Sequence, residues 1–291
     1  MKISIIIATY NAARTLRQAL DSIKYQTYKD IETIVIDGKS TDDTLNIIQE
    51  YNDVVTKWIS EKDYGIYDAF NKGIDLATGD YIAFLGSDDC YCNYTVFEKI
   101  NMDLKKDTDV LSAPIYIVDD KTKVQTIMPN RISLEELLSG HMIPHPGLFV
   151  RTAIMKKYGF NEENQIISDY EFLVRYMLDG GKIKFVDYPI VFFSTGGISS
   201  SAERGDKKWC DLFLEHIYVA EKLHISKKYL YKMLRHSMLL DEVSSKYYLK
   251  ELTKIVLKRI GIFNIVKSII KRTRFHSCTL NYCRWCGRYG K

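Results

Sequence analysis

The sequence contains no apolar run long enough to cross a membrane. The longest run near its start, residues 3–8, is interrupted by Ser4 and closed by Thr9, whereas a membrane-spanning helix needs about 20 consecutive apolar residues. We therefore expect neither a transmembrane helix nor a signal peptide, and we expect the protein to be cytoplasmic.

Cysteine is also scarce, with six residues in a chain of 291. Their spread lacks the density of a secreted disulfide framework, which favours reduced thiols. Four residues of metal-binding types lie near the end of the chain: His276, Cys278, Cys283 and Cys286. Their spacing is too compressed for a common zinc finger, so a frayed terminus is the better interpretation.

Apolar residues, in contrast, make up 46% of the chain, enough for one main domain with a small addition. The charge is unevenly distributed. Residues 241–291 hold 12 Lys and Arg against 3 Asp and Glu, a net charge of +9, so residues 1–240 carry −5 of the total of +4. We predict a main domain over residues 1–205 and a basic, helical C-terminal extension over residues 206–291.

Strand and helix patterns alternate through the first part of the chain. Short apolar runs are separated by amphipathic stretches, and these runs lie at 2–8, 31–37, 57–60 and 81–85. Such alternation is typical of a doubly wound α/β domain, in which ligands bind beyond the carboxyl ends of the strands. After residue 107 the pattern changes, and residues 110–118 and 124–128 predict an antiparallel hairpin.

Asp88 and Asp89 are the sharpest candidate site. They directly follow a buried strand, and two adjacent carboxylates repel each other unless a cation neutralises them. Mg²⁺ or Mn²⁺ bound there could also hold a diphosphate and stabilise a departing nucleotide. The alternative, which carries about equal weight from the pair alone, is that Ser87, Asp88 and Asp89 cap the following helix.

Other polar residues follow the neighbouring predicted strands. Asp37 ends the second strand, where a carboxylate can accept a hydrogen bond from a base or ribose. Asp68 and Lys72 share one face of a predicted helix, and Lys72 could contact phosphate there. For most isolated helices of this kind, however, a solvated face is the better interpretation.

Asp169 opens a predicted helix over 169–178, after a polar stretch at 161–165 that could form a mobile loop. A carboxylate there could act as a general base toward an acceptor hydroxyl, although the helix dipole alone would also favour it. His145 lies on the preceding loop and could line an acceptor site, but a single histidine is more often structural.

The order of these motifs resembles family 2 glycosyltransferases with the GT-A fold, and most closely bacterial O-antigen and capsule sugar transferases. The resemblance covers roughly residues 2–195 and rests on four segments in order, residues 4–11, 37–44, 68–73 and 78–89. It implies a Rossmann-like mixed α/β sheet flanked by helices, followed by the α-helical extension.

The resemblance also implies roles for individual residues. Thr9, Tyr10 and Asp37 would line the nucleotide-base pocket, and Asp88 and Asp89 would hold ribose, metal and diphosphate. The remaining donor-binding candidates are Asn11, Asp68 and Lys72. Asp169 would be the catalytic base of an inverting displacement, and His145 would contact the acceptor.

Three departures from the family pattern limit these assignments. Gly86 stands where many members have the first Asp of an Asp-x-Asp motif, which leaves open which of Asp88 and Asp89 contacts the metal. Gly38 replaces a second carboxylate that contacts the base, which weakens the case for uracil. A Gln-x-x-Arg-Trp element is missing, so we expect transfer of one sugar per acceptor rather than processive synthesis.

We therefore expect transfer of a hexose or N-acetylhexosamine from a nucleotide sugar, with UDP as the expected nucleotide, to a glycan acceptor on polyprenyl diphosphate. The alternatives are a nucleotidyltransferase, which would need a glycine-rich loop that residues 9–13 lack, or a catalytically inactive sugar-nucleotide-binding protein. The apolar and basic segment 250–275 could contact an anionic membrane on the inner face of the plasma membrane, or simply pack on the core. No nucleic-acid-binding motif is recognisable.

Overall fold

The structure is a computed structural model that describes residues 1–119, 122, 125–195, 207–226, 228–229 and 232. The strands are β1 (Ile3–Thr9), β2 (Ile31–Asp37), β3 (Val55–Ser60), β4 (Tyr81–Gly86), β5 (Cys90–Tyr91), β6 (Val110–Ser112), β7 (Ile115–Val118), β8 (Gln125–Met128), β9 (Leu148–Arg151), β10 (Ile183–Phe185) and β11 (Val191–Ser194). The helices are α1 (Leu16–Lys24), α2 (Thr44–Glu50), α3 (Ile66–Leu76), α4 (Val96–Asp103), α5 (Leu134–Leu138), α6 (Thr152–Tyr158), α7 (Ser168–Leu178) and α8 (Lys207–Lys222), with a 3₁₀ turn at His145–Gly147. The predictions for residues 233–291, including segment 250–275 and the four terminal His and Cys residues, lie outside the described residues.

A seven-stranded mixed sheet has the order β10-β6-β9-β4-β1-β2-β3. Strands β4, β1, β2 and β3 run parallel, and β9 enters antiparallel between β4 and β6. A second sheet has the order β5-β11-β7-β8. The predicted mixed α/β architecture is thereby confirmed, and the carboxyl ends of four parallel strands meet at one edge of the large sheet.

Both faces of the large sheet are covered because its central strands are apolar on both sides. In β1, Ile5 belongs to the core on the face of α1 and α2, whereas Ile6 belongs to the core on the face of α3 and α7. The helices pack buried side chains against the sheet, among them Leu20 of α1 on the first face and Phe70 of α3 on the second. The helices therefore clamp the sheet from both sides and fix the strand ends in space.

The prediction of one continuous strand over residues 110–118 is wrong, because the structure divides this segment between the two sheets. Strand β6 joins the large sheet, and β7 pairs antiparallel with β8 as predicted. The break falls at Pro114, which has no N–H to donate to a ladder. There the backbone pairs elsewhere: Ala113 donates to Gly147, and the carbonyl of Pro114 accepts from Ile190.

Glu32 forms a buried polar centre at the amino end of β2, and only 1% of its surface is exposed. Its carboxylate accepts hydrogen bonds from Ser4 at 2.7 Å, from Lys57 at 2.8 Å and from Thr78 at 2.9 Å. Burial alone would raise the pKa of Glu32, but these donors outweigh it and lower the pKa to about 2. The amino edge of the sheet thus holds a fully compensated carboxylate.

Helix α8 packs onto the same core as the sheet. Ile217 and Val219 are completely buried, and Val219 joins the cluster that contains Tyr67 and Ile167. The predicted boundary near residue 205 remains a prediction. The described part of the extension is nevertheless in direct contact with the core formed by α3 and α7.

Candidate active site

The loops that follow β1 and β2 are cross-linked through Asp37, which is completely buried. One carboxylate oxygen accepts from the hydroxyls of Thr9 and Ser40, and the other accepts from the Ser40 N–H at 2.9 Å and the Ser60 hydroxyl at 2.7 Å. These four bonds fill the acceptor capacity of a carboxylate. Asp37 therefore organises the strand ends, and Asn11 adds a second link by accepting from the Thr41 N–H.

Tyr10 lies at this edge with 65% of its surface exposed. Beside it, Gly38 faces a carboxylate from the β3–α3 loop, because a Cβ at position 38 would lie 2.5 Å from Asp63 Oδ2 and 3.4 Å from the Tyr10 ring. The other oxygen of Asp63 accepts from the Gly65 N–H at 3.2 Å. Asp63 was not among the residues predicted from the sequence. The glycine at position 38, which leaves space for another side chain, was the one sequence signal for it.

Asp88 and Asp89 converge above Gly86 at the carboxyl end of β4. A Cβ on Gly86 would lie 2.6 Å from Asp89 Oδ2 and 2.9 Å from Asp88 Oδ1, so a larger residue at position 86 would occupy the same space as the two carboxylates. Asp89 is buried and accepts from the Ser194 N–H of β11 at 2.9 Å. Burial and the charge of Asp88 raise the pKa of Asp89 to about 7.

This acidic pair fits a divalent cation. Among the described residues no group of three or more His, Cys, Asp or Glu side chains is arranged to hold a metal. Two carboxylates are nevertheless enough for Mg²⁺ or Mn²⁺ that is also held by substrate phosphates. A cation above Gly86 would stabilise the ionised form of Asp89, which its present surroundings disfavour.

Asp169 lies in the first turn of α7 and is mostly buried. The Tyr67 hydroxyl, at the start of α3, lies 3.0 Å from Asp169 Oδ1 and 2.7 Å from the carbonyl oxygen of Ile166. Burial first, and then the charge of Asp169, raise the pKa of Tyr67 well above its usual value, so this hydroxyl keeps its proton. Asp169 is thus connected to the segment that follows the carboxyl end of β3.

The stretch 161–165, which could form a mobile loop, is tied to α7 by hydrogen bonds, and its mobility stays a prediction. The Asn161 N–H donates to the Ser168 hydroxyl, and the Asn161 and Asn164 side chains both donate to Glu171. Glu171 was not singled out in the sequence, because its partners become adjacent only when the loop folds back on α7.

His145 lies among the aromatic rings of Phe70, Phe84 and Phe160, with centroid distances between 4.8 and 5.6 Å. Burial lowers its pKa, and the charge of Asp169 opposes that shift. Its Nε2 atom is buried and has no hydrogen-bond partner among the described residues. The imidazole is therefore packed against Phe84 of β4 within an aromatic cluster, and its predicted acceptor contact stays a prediction.

Asp68 and Lys72 contact each other rather than an open cleft. Their charged groups are 3.1 Å apart, Lys72 also contacts Glu61 at 2.8 Å, and Asp68 accepts from the Tyr64 N–H at the start of α3. Phosphate binding by Lys72 would require exchange of these partners. The structure places six of the predicted site residues directly at the carboxyl edge of the sheet: Thr9, Tyr10, Asn11, Asp37, Asp88 and Asp89. Asp169 contacts Tyr67 of α3, the helix that follows β3.

The family model described as "Glycosyl transferase family 2" matches residues 4–172. This chain belongs to glycosyl transferase family 2. Its prediction as a glycosyltransferase of that family is confirmed. A "PGL/p-HBAD biosynthesis glycosyltransferase" of Mycobacterium tuberculosis is 30% identical over 178 residues, which cover 59% of this chain and 68% of the relative. An uncharacterized glycosyltransferase of Methanocaldococcus jannaschii is 27% identical over 196 residues, covering 64% of this chain and 68% of the relative.

Solved structures of glycosyltransferases share the fold. S. aureus TarS 1–349 in complex with UDP-GlcNAc matches with a TM-score of 0.67 at 20% identity, covering 92% of this chain and 85% of that one. The mannosyltransferase PcManGT from Pyrobaculum calidifontis, in complex with GDP-Man and Mn²⁺, matches with a TM-score of 0.59 at 14% identity, covering 95% of this chain and 81% of that one. Against a longer TarS chain the match spans 43% of that chain's length. In the described residues, no helix has the length and apolar character of a membrane span.

Proposed function

We propose that this glycosyltransferase is an inverting enzyme that transfers a single hexose or N-acetylhexosamine from a nucleoside-diphosphate sugar to a glycan acceptor. The observation that carries the proposal is the convergence of Asp88 and Asp89 above Gly86 at the carboxyl edge of the sheet. Two carboxylates in this arrangement suit a divalent cation and an anionic diphosphate.

Within this proposal, Asp88 and Asp89 would hold Mg²⁺ or Mn²⁺, which would supply positive charge to the leaving diphosphate. Support comes from the likeness to PcManGT, whose structure contains GDP-Man and Mn²⁺. The exposed ring of Tyr10 offers a stacking surface for the nucleobase, and Asp63 offers an acceptor for its N–H groups. We expect UDP as the nucleotide, since the structure of TarS contains UDP-GlcNAc.

Asp169 would take the proton from the attacking hydroxyl of the acceptor. Its Oδ1 lies near the Tyr67 hydroxyl and accepts from the Tyr170 N–H, which fixes the orientation of the carboxylate. A base held in one orientation can meet the hydroxyl at the distance and angle that proton transfer requires. His145, which packs against Phe84 of β4, would line the acceptor side.

The acceptor is proposed to be a glycan on polyprenyl diphosphate, used in the synthesis of a cell-surface polysaccharide of the O-antigen or capsule type. Segment 250–275 would then bring the enzyme to the inner face of the plasma membrane, through basic residues that each contribute about 1 kcal/mol at an anionic surface. Cosedimentation of the full chain with anionic and neutral vesicles, at low and high salt, tests this part separately.

The central experiment is a donor-hydrolysis screen over UDP-, GDP- and dTDP-sugars with and without Mn²⁺. We expect hydrolysis of one nucleotide class, dependent on the cation. Binding of a nucleotide sugar without turnover under any condition would favour the inactive sugar-nucleotide-binding protein instead.

A further inference from the structure

Glu215 on α8 caps the entry of α7, although it lies outside the family-matched residues 4–172. One oxygen of its carboxylate accepts from the Gln165 N–H at 2.9 Å, and the other accepts from the N–H groups of Ile166 at 2.9 Å and Ile167 at 3.1 Å. Backbone N–H groups at a helix start have no partner within the helix. Here a carboxylate from a distant helix supplies that partner.

These bonds fix the peptide unit that leads into Asp169. The peptide between Ile166 and Ile167 is held on both sides, because its carbonyl oxygen lies 2.7 Å from the Tyr67 hydroxyl and its N–H donates to Glu215. The Tyr67 hydroxyl has one proton and two acceptors in reach, the Ile166 carbonyl and Asp169 Oδ1. A shift of this peptide would change how that proton is shared with Asp169.

The neighbouring residues of α8 close the same region. His216 packs against Tyr170, with ring centroids 4.7 Å apart, and Val219 is completely buried in the core with Ile167. A second contact, from the Tyr218 hydroxyl to Glu163 at 2.6 Å, lies at the exposed side of the helix and does not involve residues 165–167. The helix therefore offers both a test residue and a matched control.

We propose that Glu215 is a positioning residue for Asp169, and that sugar transfer depends on this contribution from α8. The inference rests on the proposed role of Asp169 as the base. Residues beyond the family-matched region would then complete the catalytic geometry without touching the substrate.

The test compares Glu215→Gln, Glu215→Asp and the control Tyr218→Phe in the full chain. For Glu215→Gln we expect kcat of donor hydrolysis to fall about 10- to 100-fold, since a displacement on the order of 1 Å can reduce a rate 100-fold. Donor KM should stay unchanged, and amide exchange at residues 165–167 should accelerate. Glu215→Asp keeps the charge and should recover part of kcat, and Tyr218→Phe should match the original protein.

The same measurements in an Asp169→Asn background separate the positioning role of Glu215 from the base role of Asp169. There Glu215→Gln should reduce kcat no further, because the group that it positions is already lost. An unchanged kcat in Glu215→Gln, or equal losses in both backgrounds, would overturn the positioning role while leaving the base role intact. An Asp169→Asn protein that retains full turnover would instead overturn the base role itself.

If Glu215→Gln does not fold, Glu215→Asp gives the same comparison. Full kcat in that variant, despite faster amide exchange at residues 165–167, would overturn the proposal.

Discussion

Glu32 and Asp89 are equally buried carboxyl groups on opposite edges of one sheet, and their pKa values are shifted in opposite directions. Glu32, at the amino edge, meets a lysine and two hydroxyls, and its pKa falls to about 2. At the carboxyl edge, burial and then the charge of a second carboxylate, Asp88, raise the pKa of Asp89 to about 7. Burial raises the pKa of both groups, but hydrogen-bond donors outweigh it at Glu32 and do not outweigh it at Asp89. The fold stabilises the charge of Glu32 with its own side chains, whereas the charge of Asp89 would be stabilised by the cation that we propose.

The largest expected effect comes from Asp89→Asn. Loss of the carboxylate should reduce cation-dependent donor hydrolysis by about 1,000-fold or more, because the charge that would hold the metal is gone. The free energy of unfolding should stay the same or increase, since a disfavoured buried charge is removed. Kinetics and thermal unfolding with and without Mn²⁺ measure both.

Mn²⁺ should raise the Tm of the original protein and leave that of Asp89→Asn unchanged. Asp53→Asn, which changes an exposed ion pair with Lys24, is the control and should behave like the original protein. Strong destabilisation in Asp89→Asn would contradict the comparison, since Asp89 would then be a structural group like Glu32.

The next effect is expected in Asp169→Asn, which tests a third buried carboxylate. Its kcat should fall about 100- to 10,000-fold, because an amide cannot accept the proton, while donor affinity stays unchanged. Isothermal titration with a nucleotide sugar and steady-state kinetics separate the two quantities. A parallel loss of donor affinity would show that Asp169 belongs to the donor site.

Acid should remove the stabilising contribution of Glu32. Its folded pKa is lowered from 4.5 to about 2, so its contribution is fully present above pH 4.5 and is lost as the pH falls toward 2. A shift of this size corresponds to about 3 kcal/mol of unfolding free energy. Denaturant unfolding between pH 2 and 6 measures it.

Glu32→Gln is the matched variant for this pH series. It should be less stable at pH 6 by a similar amount and should lose less stability on acidification. Its cation-dependent hydrolysis per folded molecule should be unchanged, because Glu32 lies at the edge opposite the acidic pair. Equal acid sensitivity in both proteins would mean that other carboxylates determine how the free energy of unfolding depends on pH.

The smallest effect is expected in Asp63→Asn. The Asp63 carboxylate is half-exposed, so its loss should matter less than the loss of the buried carboxyl groups Glu32 and Asp89. If Asp63 accepts an N–H of the base, the variant should bind the preferred nucleotide sugar about tenfold more weakly and discriminate less among bases, as expected for loss of a charge-assisted hydrogen bond. Competition titrations with UDP, GDP and dTDP measure it. Retained selectivity would assign the base contact to another residue.

The sequence predicted the four parallel strands β1 to β4 and the acidic pair because both are local signals: short apolar runs, and two carboxylates directly after a buried strand. It did not predict β5 or β11. It did not predict Glu32, whose partners Ser4, Lys57 and Thr78 come from separate parts of the chain. Glu215 was missed for the same reason, since it lies about fifty residues from the N–H groups that it caps. The division of residues 110–118 between two sheets depended on Pro114 and on tertiary pairing with Gly147 and Ile190.

The hydrogen bond from Ser194 to Asp89 mechanically couples the small sheet to the acidic pair. Strand β11 pairs with β7, and β7 pairs with β8, so a slip of this hairpin would withdraw a donor from Asp89. Without that donor the carboxyl would hold its proton more tightly, so a cation would compete with the proton less effectively. A molecule that binds the outer hairpin would therefore change the cation affinity of the proposed site without contacting the acidic pair.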